Sequence, residues 1–331
     1  MGPDAIVAPS VPTIGNTLTA IGPLVAWLPV SLLAKSLLAQ ATFSGLFALG
    51  VGFLLRQNGM VSFGHAVFFG LPGYMLGALL PLNLMPVELL ICVTVLVSGI
   101  AAFVIGLVIV RAHGIAFGML TLAIGQAVYE AATRLRGVTG GNDGLSLRLP
   151  PHVFGLSLKT LQQPAGMLTT SWLVMVAMLA LVSIFATSRF GILTEAIRDN
   201  EERARFLGYR TLLPRAAVFG LSAAVTAVGG VMYSLYNAFV SPDAVHWTAS
   251  GSALIMAIVG GSAAPWGPVA GAFVYFFLKE SLDSFTTHWL SIIGTALIII
   301  TVVFPAGLAG LVPWAGKLLA LRRREDHVAR A

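Results

Sequence analysis

The amino-acid sequence predicts an all-α fold: a polytopic membrane helical bundle of about 8 to 10 transmembrane helices, with a broken or re-entrant segment near residues 251–278. Three observations predict it. Of 331 residues, 57% are hydrophobic and 10% carry a charge, where a soluble domain carries about 25% charged residues; the chain lacks the polar surface that water requires. The apolar residues arrive in blocks of about 20, the number that crosses about 30 Å of hydrocarbon at about 1.5 Å per residue. Glycine stands at 36 positions, which suits membrane helices, since these associate by close packing between small residues.

The blocks are taken in chain order. An N-terminal segment, residues 1–16, lacks a basic region, so Thr17 to Leu33 is expected to be a retained span and not a cleaved signal. Ser36 to Leu55, Met60 to Leu82, Leu89 to Val110 and Gly114 to Ala132 follow, each apolar and bounded by charged or turn residues. Met167 to Thr187 and Ala216 to Val240 flank a hydrophilic loop. Gly251 to Leu278 differs, because Gly260, Gly261, Pro265, Gly267 and Pro268 interrupt it and leave an upstream piece of about ten residues that reaches about 15 Å. It is either a re-entrant hairpin, the reading we favour, or two short broken helices. Both are tolerated at membrane depth only where protein or a polar cavity satisfies the freed backbone groups. Trp289 to Val312 closes the series.

Charge sets the orientation. Ser188 to Arg215 carries Arg189, Arg198, Arg203, Arg205, Arg210 and Arg215, and the tail beyond Gly316 carries Lys317, Arg322, Arg323, Arg324 and Arg330. Short positive loops stay on the cytoplasmic side, so an even number of crossings separates the two stretches. Three apolar blocks intervene, and the interrupted one is the block that does not cross once. Counting back places Arg56, Arg111 and His113 inside and Glu88 outside, while Lys35 and the loop Arg134 to Ala165 fall outside, against the rule. The organisation is one membrane domain, residues 17–312, holding the cytoplasmic loop 188–215, with a basic cytoplasmic tail over 313–331.

Several function classes are excluded. The net charge of +6 is no nucleic-acid footprint, because the arginines cluster in two short stretches without interleaved aromatics; the expected surroundings are membrane lipid. The single cysteine, Cys92, lies in an apolar run, which rules out an internal disulfide or a CxxC motif. No glycine-rich loop ends in Gly-Lys-Ser/Thr, so the chain is expected to bind no nucleotide, and any ATP hydrolysis it depends on comes from a partner. A paired-histidine metal motif, a GxSxG elbow and a carboxylate dyad within a span are also missing. The chain is not expected to be an enzyme.

Within the loop, Glu195 to Gly208 reads as one short helix. Ile197, Ala204 and Leu207 share a face, Asp199 with Arg203 and Glu201 with Arg205 are i,i+4 pairs, and Gly208 suits a left-handed C-terminal stop. On the residues alone, such a helix either docks in a partner's groove or caps the bundle and supplies inside charge.

Glu195-Ala196 with Gly208 downstream resembles the loop by which ABC importer permeases engage their ATPase subunits. The run Ala196-Ile197-Arg198-Asp199-Asn200-Glu201 through Leu207-Gly208-Tyr209 looks like that of branched-chain amino-acid permeases of the LivM type, related to urea permeases. Other segments agree in order: Gly59-Met60-Val61-Ser62-Phe63-Gly64-His65-Ala66, Thr139-Gly140-Gly141-Asn142-Asp143-Gly144, Val259-Gly260-Gly261 leading to Trp266-Gly267-Pro268, and Phe304-Pro305-Ala306-Gly307-Leu308. The resemblance runs from Phe43 to Leu311. It implies a heteromeric importer with a second permease subunit, two ATP-binding subunits that hold ATP-Mg, and an extracytoplasmic solute-binding protein. It also implies ATPase coupling through Glu195, Ala196, Arg198, Asp199, Glu201 and Gly208. A urea or amide permease, or a secondary transporter or channel, is the alternative.

Six residues are expected along a translocation path. His65 near the start of a span either serves function or is a neutral ring bonded to a neighbouring carbonyl, and Glu130 either lines a polar route or is solvated. Gly260, Gly261, Gly267 and Pro268 either free backbone groups that meet a zwitterion or permit close helix packing. The run Gly140 to Gly144 is turn chemistry and a candidate contact for the binding protein.

Overall fold

The computed structural model describes residues 31–262, 264–283, 291–292, 294–295 and 307–310. Segment 1–16, the first apolar block up to Val30, nearly all of the closing block and the basic tail lie outside the described residues.

The described chain is helical almost throughout, and five of its helices are long and apolar enough to cross a membrane. Helix α1 (Leu32–Asn58) starts on the side chain of Ser31 and ends at Gly59, whose φ is +65°. The block from Met60 does not form one continuous span. Residues 60–65 are irregular and largely buried, and the helix resumes only at α2 (Ala66–Leu79), with a 3-10 turn over Leu80–Leu82. The physical reason is that this stretch bonds to neighbours and not to itself. Phe63 N donates to Thr121 Oγ1 at 3.1 Å, and Ala66 N donates to Ser250 Oγ at 2.8 Å.

Helices α3 (Val87–Ile109) and α4 (Ile115–Arg134) follow, joined on the face to which α1 ends. On the opposite face the chain makes α5 (Arg136–Thr139), the turn Gly140 to Gly144, strand β1 (Leu145–Ser146), a two-residue hairpin of β2 (His152–Val153) with β3 (Leu156–Ser157), and α6 (Leu158–Gln162). Gly140, Gly141 and Gly144 all take positive φ, as expected of the turn. Helix α7 (Pro164–Thr187) crosses back to the loop, whose helices are α8 (Arg189–Asp199) and α9 (Glu201–Phe206). Helix α10 (Leu212–Asn237) returns to strand β4 (Phe239–Val240), which pairs antiparallel with β1.

The interrupted block forms two antiparallel helices, α11 (Trp247–Gly260) and α12 (Gly267–Asp283). The upstream arm has 14 residues, longer than the ten expected, because the His246 side chain caps it by accepting from Thr248 N. The arms meet side by side, with Tyr275 Oη donating to Ser252 Oγ at 3.2 Å. Helix α12 then climbs along α1, with Pro268 against Gly52 and Val269 and Phe273 against Gly45, so the chain returns toward the face it left.

Helices α1 and α10 are the axis of the bundle: 78% and 72% of their apolar stretches are buried, against 22–28% for α3, α4 and α7. Leu46, Leu49, Phe53, Phe219, Val225 and Val231 fill the core between them. What holds the ends of these two helices therefore governs the bundle.

Candidate functional site

The face carrying the arginine-rich loop concentrates the ionic side chains. Ser188 opens α8 by accepting from Gly191 N at 3.1 Å. The expected single helix over Glu195 to Gly208 is broken at Asn200, whose φ of −157° leaves the helical region while its side chain accepts from Arg203 N at 2.8 Å. An Asx N-cap outcompetes helix continuation here, as asparagine favours caps over interiors. The break redirects two other expectations. Asp199 pairs with its neighbour Arg198 at 2.8 Å and not with Arg203, and Leu207 is exposed while Ile197 and Ala204 are buried. The Glu201–Arg205 pair forms as expected at 2.5 Å, and Gly208 has φ +89°.

Two clamps tie the loop to the bundle. At the first, Glu195 Oε1 accepts from Arg56 Nε at 3.1 Å and Gln57 Nε2 at 3.4 Å, Thr194 Oγ1 donates to Gln57 Oε1 at 2.6 Å, and Arg198 Nη1 donates to the Arg56 carbonyl. This clamp grips the end of α1. At the second, Glu201 Oε2 lies 2.5 Å from Arg215 Nη1 and 2.7 Å from His113 Nε2, while Oε1 accepts from Arg205 at 2.5 Å and Thr211 at 2.8 Å. It grips the start of α10 and the α3–α4 connection together. Arg215 is 6% exposed, and its carbonyl accepts from Asn58 Nδ2 at 3.0 Å, which joins the two clamps.

Electrostatics fix the state of Glu201. Partial burial works against ionisation, but hydrogen bonds from His113, Thr211 and Arg205 and the charge of Arg215 outweigh it and hold the carboxyl down at about 2. It is a carboxylate at any physiological pH.

The outward side of the same loop exposes large apolar side chains among charged ones such as Arg189, Glu202 and Arg203. Ala196 is exposed, and Phe206 is 91% and Leu207 72% exposed, with Ile192, Tyr209 and Leu213 also open. Among the expected coupling residues, Glu195 and Glu201 thus face the bundle, whereas Ala196 and Asp199 face away and Gly208 stands in open space. Gln57, Thr194 and Phe206 carry no signal of their own in the sequence, and His113 and Arg215 enter it only as inside charge. The available signal was Glu201 beside a block of arginines, which demands cationic partners without naming them.

The residues expected along a path are not brought to one place. His65 is fully buried, its Nε2 lies 2.6 Å from Ser222 Oγ, and Phe68 and Phe219 meet it edge-on. Glu130 is half-exposed and pairs with Arg134 on its own helix at 3.2 Å. Gly260 and Gly267 make the tightest contact of the α11–α12 pair, since a Cβ on Gly260 would lie 1.9 Å from the Gly267 carbonyl oxygen. Pro268 packs its ring on Gly52, and Gly261 has φ +85°. Close packing accounts for these four. Among the described residues no group of histidine, cysteine and carboxylate side chains is placed to hold a metal.

A profile of the family described as the branched-chain amino acid transport system / permease component matches residues 33–302. The high-affinity branched-chain amino acid transport system permease protein LivM of Salmonella typhimurium is 24% identical over 283 residues, covering 80% of this chain and 67% of the relative. The LivM protein of Escherichia coli is 23% identical over the same length and shares. The permease protein LivH of Escherichia coli is 28% identical over 160 residues, 47% of this chain and 50% of the relative. No solved structure matches the chain.

Proposed function

This chain belongs to the branched-chain amino acid transport permease family, and from that premise we propose that it is the membrane-embedded subunit of an ABC importer. The solutes are branched-chain or related amino acids, delivered by an extracytoplasmic binding protein. Its partners are a second permease subunit and two ATP-binding subunits. The observation that carries this reading is the two-sided build of loop 188–215, clamped inward at Glu195 and Glu201 and presenting Phe206, Leu207 and Tyr209 outward.

A surface helix that only capped the bundle would turn its large apolar side chains inward. Here they point away from the bundle, where a partner's groove would cover them. Force applied to α8 and α9 reaches α1 through Arg56 and α10 through Arg215, the two helices on which the rest pack. Displacing the ends of both central helices at once is a direct way to exchange inward-open and outward-open arrangements. The chain holds no nucleotide motif, so ATP binding and hydrolysis in the partners supply the difference in stability between the two states.

The test is uptake of labelled leucine, isoleucine and valine by proteoliposomes containing the chain with its partner subunits and binding protein. Uptake is expected to need internal ATP and to survive collapse of the proton gradient. Uptake by this chain alone, uptake that follows the proton gradient, or labelling of an engineered cysteine at Arg203 from the cell exterior overturns the reading.

A further inference from the structure

The end of α1 and the irregular stretch that follows it hold three buried side-chain atoms without a hydrogen-bond partner among the described residues: Asn58 Oδ1, Ser62 Oγ and His65 Nδ1. The three residues are 3%, 0% and 0% exposed. Orphaned polar atoms are rare in native interiors, and each calls for an explanation such as strain, a functional role or a bound water or ion. The other unpartnered atoms among the described residues, Tyr74 Oη, Arg215 Nε, Thr226 Oγ1 and Ser234 Oγ, belong to helical residues, whereas residues 60–65 are not helical.

The chemistry of the three atoms is decided by their partners. Ser222 Oγ lies 2.7 Å from the Gly50 carbonyl, which can only accept, so the hydroxyl spends its single proton there. It must then accept from His65 Nε2, which fixes the proton on that nitrogen and leaves Nδ1 as a lone pair. His65 enters no ion pair among the described residues, and an unpaired buried charge is not sustained, so the ring is neutral. Asn58 Oδ1 is an acceptor by nature, because the amide nitrogen beside it already donates to Arg215. Ser62 Oγ can accept as well.

These acceptors are arranged in depth. Asn58 sits beside Arg215 and His65 beside Ser222, and those two residues lie two turns apart on one face of α10, about 10 Å along its axis. We infer that the break at 58–65 is a relay for the ammonium group of the transported amino acid, with His65 Nδ1 as its innermost acceptor. The inference rests on the amino-acid import proposed above and adds to it the atoms that receive the solute. Acceptors at these two depths, Asn58 Oδ1 and His65 Nδ1, suit a group with several N–H donors, and the unpartnered donor beside them is Arg215 Nε.

Two variants and one spectroscopic measurement test it in the assembled complex. Ser62→Ala removes an unpartnered hydroxyl, so a merely structural residue would leave uptake unchanged; the relay predicts at least a ten-fold fall in leucine uptake with no loss of thermal stability. His65→Gln keeps an N–H donor near the Nε2 position for Ser222 and removes the Nδ1 lone pair, with the same expected fall. The ¹⁵N resonance of His65 Nδ1 in the wild-type complex is expected to move on adding leucine and to stay still with its des-amino analogue. Wild-type uptake in both variants, or a resonance that ignores leucine or answers both compounds equally, as a water-filled pocket would, overturns the assignment while leaving the importer intact. A wild-type complex that takes up no leucine sinks the importer instead, and the same resonance, read with methylammonium, still decides the relay.

Discussion

Replacing Glu201 by glutamine tests the second clamp directly. The carboxylate receives four donors at 2.5–2.8 Å, and one of them is the guanidinium of Arg215, whose side chain is 8% exposed. A glutamine is nearly the same size and can still accept at its oxygen, so what is lost is charge. Breaking a fully buried pair costs about 3–5 kcal/mol. The water-facing side of this cluster, where His113 and Arg205 are more than half exposed, screens part of that, and about 2 kcal/mol is the expected loss. Through the 1.4 kcal/mol that each factor of ten represents, this becomes a roughly 30-fold faster hydrogen exchange of the α9 amides if they open locally. Exchange in α1, which the first clamp holds, should change far less. A change below about three-fold in α9 would show that Arg215 is satisfied without Glu201, and that the second clamp transmits nothing.

The remaining predictions concern pH, the first clamp and the hairpin. Glu201 titrates near 2 when folded and near 4.5 when unfolded, so its contribution is complete above about 4.5 and drains away as the pH falls toward 2; exchange in α9 measured from pH 7 down to 3 should be flat with respect to this group and then accelerate. Glu195→Ala removes the acceptor of Arg56 and Gln57, and Gly208→Asp forces a side chain onto a φ of +89°. Each should lower solute-stimulated ATP hydrolysis while the complex still assembles on size-exclusion chromatography, and unchanged hydrolysis in both would refute the coupling role. Gly260→Ala places a methyl 1.9 Å from a backbone oxygen, and overpacking of this kind costs about 1–3 kcal/mol; a thermal midpoint equal to wild type would mean that the α11–α12 contact is looser than its geometry.

What was legible in the sequence is what depends on composition and on one-residue signals. Helices α1, α3, α4, α7 and α10 lie within a few residues of their apolar blocks, because hydrocarbon admits few backbone forms other than a helix. The glycines and prolines of 260–268 announced an interruption for the same reason, and Gly208 and the run Gly140 to Gly144 took the left-handed backbone that their side chains permit. The failures share a different cause. Nothing local in Met60 to His65 forbids a helix; the stretch is irregular because Thr121 and Ser250, far away in the chain, supply bonds in place of helical ones. Asn200 was visible as a polar residue, but its capping role depends on how α8 and α9 each dock. The clamps are the sharpest case. Arg56 meets Glu195 across 139 residues, and His113 meets Glu201 across 88. No spacing rule reaches that far, so the sequence could locate a charged loop but not the helices it grips. That distinction matters for the mechanism: a loop tied only to its flanking helices would move α7 and α10, whereas this one is also fastened to α1 and to the connection between α3 and α4, so that a single displacement has five helices to act upon.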